Sequence, residues 1–177
     1  MDYPIILHIL SFRSDNLHIL VSKRICEYNN PNQDRKKLPI SILFTANIFQ
    51  EYSNVIFSRI NKWQLCRVVA RLGNINALEW TRSHGCPWDV DTCYVAALFG
   101  HMELLQWARA HDCPWDKRTC SFAARNGHLA VLQWAKAHGC PWDGRHCYQM
   151  AKSNNQAVIM EWLQEQGCPT DRNVPYP

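Results

Sequence analysis

The chain has 177 residues, 47% hydrophobic and 19% charged, which supplies a buried core and excludes a disordered segment. Its net charge of +4 is scattered, and the densest basic run, Arg35-Lys36-Lys37, lies in a Pro/Asn-rich stretch, so no concentrated stripe is present for exchanging counterions with nucleic acid. No apolar run approaches the ~18 residues of a membrane span, and Met1-Asp2-Tyr3-Pro4 does not open a secretory signal; the nine Cys are therefore expected as reduced thiols in cytoplasm or nucleus.

In chain order, residues 1–60 form a head that does not share the pattern of the rest. Pro4-Ile5-Ile6-Leu7-His8-Ile9-Leu10-Ser11-Phe12 predicts a short apolar helix, Ser14 or Asp15 caps a second through Val21 and Ile25, and Ile40 to Phe57 supplies a third beyond the Asn/Pro break at 29–32. These helices resemble an F-box, the segment by which substrate adaptors dock onto the Skp-type subunit of cullin-based ubiquitin ligases. The matching pieces are Pro4, Ile9-Leu10-Ser11-Phe12, Asp15 and Val21-Ser22-Lys23-Arg24, set closer together than in the family, with Ile25 where Trp is usual. The resemblance implies docking through Pro4, Ile9, Leu10 and Val21. Read without it, the head is a cap on the array that follows, since terminal repeats need a polar outer face. Both readings stay open.

From residue 62 a unit recurs: 62–88 in degenerate form, then 89–115, 116–142 and 143–169, with a tail at 171–177. Cys66, Cys93, Cys120 and Cys147 are each 27 residues apart, as are Trp80, Trp107 and Trp134, while Trp162 follows at 28 because the last copy has one extra residue near Asn154-Asn155. Cys86, Cys113 and Cys140 keep the same interval. Each copy predicts two helices. In 116–142 the first opens near Asp116 or Thr119 and closes at Gly127, a position, like Gly100, for a left-handed residue; the second carries Leu129, Val131, Leu132 and Ala135 at helical spacing and stops at Gly139 before Pro141. Such a hairpin cannot bury its apolar face alone and must stack on its neighbours.

Ala123-Ala124-Arg125-Asn126-Gly127-His128-Leu129-Ala130-Val131-Leu132 resembles the central signature of the ankyrin repeat, with Cys120 in place of the family's Leu. The ankyrin period is about 33 residues, and the residues missing here fall between Gly139 and Cys147, where that family builds its β-hairpin. The resemblance over 62–170 thus implies an all-α, ankyrin-like helical-hairpin solenoid with shortened or absent β-hairpins, turning tightly on Cys-Pro-Trp-Asp. It also implies that His101 and His128 cap and bridge the backbone of neighbouring copies. Short Cys-Pro-Trp copies behind an F-box-like head resemble proteins of large DNA viruses and their protist hosts, which would place this chain in host cytoplasm.

The periodic aromatics form two expected columns, Trp80, Trp107, Trp134 and Trp162 in one and Trp88, Trp115 and Trp142 in the other; Thr170 follows Pro169 where a further Trp would stand. If this second Trp packs on the following copy, it is structural mortar. The Cys and His positions suggest zinc, yet the short CxxC or HxxxH clamps of structural sites are missing and buried thiols suffice. No metal or cofactor is expected. Asp89, Asp116 and Asp143 recur as helix caps do, and no nucleophile stands in a triad-like setting or beside a phosphate loop, so the expectation is a monomeric, non-enzymatic protein-binding protein. Positions that differ between matching copies are the candidate target surface: Tyr94, Val95, Leu98, Phe99 and Glu103 against Ser121, Phe122, Arg125, Asn126 and Ala130.

Overall fold

The computed structural model describes residues 61–169, so the head, with Pro4, Ile9, Leu10 and Val21, and the tail at 171–177 lie outside the described residues. The described residues are all-α. They form α1 (Lys62–Leu72), α2 (Ile75–Ser83), α3 (Val90–Leu98), α4 (Met102–Ala110), α5 (Lys117–Arg125), α6 (Leu129–Ala137), α7 (Gly144–Ser153) and α8 (Ala157–Glu165), with no strand among them.

The first helix of each pair begins on a side-chain cap. Asp89 and Asp116 accept from the backbone N–H of Asp91 and Arg118, at 2.9 Å each, and Asp143 accepts from that of His146 at 3.0 Å. Such a cap is worth ~1 kcal/mol because it satisfies an amide that the helix cannot. From α4 onward the second helices lack this bond: His101, His128 and Gln156 occupy the N-cap position and make no side-chain cap hydrogen bond. The two histidines therefore do not cap the helices they open. Their rings reach backward instead, His101 Nε2 lying 3.0 Å from the Arg71 carbonyl oxygen and His128 Nε2 3.1 Å from that of Leu98, each in the preceding pair.

Packing follows the side-chain sizes. The first helices bury small residues, Cys93, Ala96 and Ala97 on α3 and Cys120, Ala123 and Ala124 on α5, all fully buried. Small faces let α1 pack on α3, α3 on α5 and α5 on α7. Each second helix packs on its own first helix and contributes the bulk, for instance Leu78, Leu105, Leu132 and Leu163, each fully buried. A buried Leu contributes roughly 1.5–3 kcal/mol through the apolar area it removes from water.

The tryptophans link successive pairs. Trp88 meets Trp107 at 6.1 Å between ring centroids, Trp115 meets Trp134 at 5.8 Å, and Trp142 meets Trp162 at 6.5 Å. The two expected columns thus interlock: each Cys-Pro-Trp ring packs on the helix Trp of the pair that follows. A cation covers each of these rings, Arg82 over Trp88 and Arg109 over Trp115 at 4.2 Å, and Lys136 over Trp142 at 4.5 Å. Arg82 and Arg109 also donate to the carbonyls of Cys86 and Cys113, fastening the same turn.

Candidate interaction surface

The first helices carry the residues that change from copy to copy, and α1 and α3 leave a cleft of about 360 Å³ between them. Arg67, Val68 and Arg71 of α1 line one wall, and Tyr94, Val95, Leu98 and Phe99, from α3 and its C-terminal end, line the other. Phe99 is 41% exposed, unusual for a ring of that size. Arg71 lies over it at 5.4 Å, and Tyr94 contacts both Phe122, stacked at 5.1 Å, and the Arg118 guanidinium at 4.7 Å. Asp91 ties the wall together across three helices, 3.4 Å from Arg67 and 3.0 Å from Arg118, which also holds Asp116 at 2.9 Å. These part-exposed pairs contribute little to stability, but they fix where the guanidinium groups point.

Among the sequence candidates, the structure brings Tyr94, Leu98, Phe99 and Phe122 together, with Arg125 and Asn126 exposed on the neighbouring pair. Three are not on the exposed surface of the first helices, although Val95 also lines the cleft. Val95 is 6% exposed and Ser121 2%, because both point into the packing between first helices, where Ser121 Oγ donates to the Lys117 carbonyl at 2.9 Å. Glu103 is exposed but sits on α4, among the second helices. Sequence comparison of copies missed Arg67, Arg71, Asp91 and Arg118. The signal was nevertheless present: Arg71, Arg125 and Lys152 share one register position, at multiples of the 27-residue interval.

Most of the shifted thiols are held protonated, the exception being Cys140, which contact with Cys120 lowers. All eight described cysteines are free and buried. Burial pushes the Cys66 thiol up to about 11 and the Cys147 thiol to about 12, while contact with Cys93 together with burial raises Cys113. Neutral thiols of this kind are poor nucleophiles and poor metal ligands. Their hydrogens turn to the backbone instead, Cys93 Sγ toward the Cys113 carbonyl at 3.8 Å and Cys140 Sγ toward that of Asp116 at 3.4 Å. His138 stacks on Trp134 at 4.4 Å with Nδ1 2.8 Å from the Trp134 carbonyl oxygen. Among the described residues no group of three or more His, Cys, Asp or Glu is placed to hold a metal ion.

Searches against protein-family models and against curated proteins found no match for this chain. No helix among the described residues is long and apolar enough to cross a membrane.

Proposed function

We propose that the chain is a non-enzymatic protein-binding module, an ankyrin-like solenoid of helical pairs that works in cytoplasm or nucleus. The observation that carries this reading is a division of roles within each copy. Residues that recur, such as Cys93, Cys120, Cys147 and the interlocked tryptophans, hold pair to pair, while Phe99, Arg125 and Asn126, which differ at matching positions, are exposed on the first helices and their ends. A scaffold that repeats and a surface that varies are what recognition of one particular partner requires. Eight free, buried thiols suit a reducing compartment.

A photo-crosslinking residue placed at position 99, compared with one at exposed Gln133 on α6, tests the module. Protein adducts in cell lysate that depend on position 99 support it; equal yields, or none, remove it. In the fuller form of the proposal the head is an F-box-like adaptor docking a Skp-type ligase subunit through Pro4, Ile9, Leu10 and Val21. A pull-down of the intact chain against that subunit, beside Leu10→Asp, decides this part. Capture lost in the variant supports the adaptor, and no capture by the folded intact chain leaves a plain scaffold with a capped end.

A further inference from the structure

We infer that the first-helix surface takes an acidic, extended peptide segment that seats one apolar side chain in the cleft between α1 and α3. This rests on the protein-binding reading above and specifies the chemistry of the partner.

Charge separates the two layers of helices. The first helices carry eight Lys and Arg, three on α1, three on α5 and two on α7, against Asp91 and the three caps Asp89, Asp116 and Asp143. The second helices carry three cations, Arg82, Arg109 and Lys136, against four glutamates. The three cations of the second helices lie over tryptophan rings. By contrast, Arg71, Arg125 and Lys152 are exposed, and among the described residues no carboxylate stands within ion-pair distance of any of them. They form one row from α1 through α5 to α7, and the place of α3 in that row is taken by Leu98, on the apolar wall of the cleft. The surface therefore reads cation, apolar cleft, cation, cation.

That order fits a peptide better than a nucleic acid. A polyphosphate favours an unbroken basic track, whereas Asp91 and Asp116 are interleaved here and the cleft is floored by Val68, Val95 and Leu98. Packed helices lie ~10 Å apart and an extended chain advances ~3.3 Å per residue, so about three residues span each step. The complementary segment is acidic-x-x-apolar-x-x-acidic-x-x-acidic.

The test uses the intact chain and a fluorescein-labelled ten-residue peptide with Glu at its first, seventh and tenth positions, Phe at its fourth and Gly/Ser elsewhere, read by fluorescence anisotropy. At least tenfold weaker binding is expected when Lys replaces Glu, and severalfold weaker binding when Ser replaces Phe or the order is scrambled. Arg71→Glu combined with Arg125→Glu lowers affinity at least tenfold, and Phe99→Ser severalfold. Glu103→Lys, on the other layer, leaves it unchanged, all variants keeping wild-type helical circular dichroism. Equal binding of the Lys or scrambled peptide, no binding of any peptide, or binding of a single-stranded oligothymidylate as tight as that of the Glu peptide overturns the inference. A protein adduct dependent on position 99 together with indifference to the acidic probe overturns this proposal while leaving the module reading standing.

Discussion

Every helix pair closes two turns with a residue at positive φ, and the two turns obey different constraints. At Gly100, φ is 74° and a Cβ would stand 2.6 Å from Nδ1 of the His128 ring in the next pair. At Gly139, φ is 78° and a Cβ would meet nothing within 4 Å. The substitutions that the chain itself carries follow this distinction. The open position holds Asp112 at φ 62° in one copy, and the crowded one holds Asn155 at φ 56° in the last, where no later histidine follows among the described residues. One glycine is required by its own backbone; the other is required by its neighbour as well.

Five substitutions break or sharpen this comparison, each measured by urea unfolding. The largest effect is expected outside the glycines, at the ring that extends the open turn toward the next pair. Trp115→Thr, copying the residue that follows Pro169, removes the packing on Trp134 and the contact with Arg109 and should cost ~3 kcal/mol. Next, Gly100→Ala should cost ~2 kcal/mol through left-handed strain and displacement of His128, against ~1 kcal/mol for Gly139→Ala; equal costs would erase the distinction. His128→Ala should cost ~1 kcal/mol for the lost bond to the Leu98 carbonyl, and in that background Gly100→Ala should cost no more than Gly139→Ala does. Smallest is Gly139→Asn, under ~0.5 kcal/mol, because Asn tolerates the left-handed region and nothing crowds it.

Period and spacing made the helices legible, because a helix pair leaves its mark in apolar registers and in the residues that stop it. The resemblance to the ankyrin signature added the bridging of neighbouring copies by His101 and His128, though not that the rings reach backward. Orientation about each helix axis was less legible. Val95 and Ser121 vary between copies as Phe99 and Asn126 do, yet they are buried, since the first helices pack on both sides and present only a narrow strip. Variation alone could not separate that strip from the packing faces. The cleft was illegible for a related reason: its walls come from Arg71 and Phe99, 28 residues apart, and only packing brings them together.

The backward reach of the histidines also bears on how such a chain can change its length. His101 meets the Arg71 carbonyl and His128 meets that of Leu98, the same contact made one copy on. Excising residues 89–115 would bring His128 opposite Arg71 and Trp134 opposite Trp88, partners of the kinds each already has. Duplicating them would do the reverse. Gain or loss of a whole copy is then a smaller evolutionary step than many single substitutions within one, and reach, rather than fold, is what such a step alters.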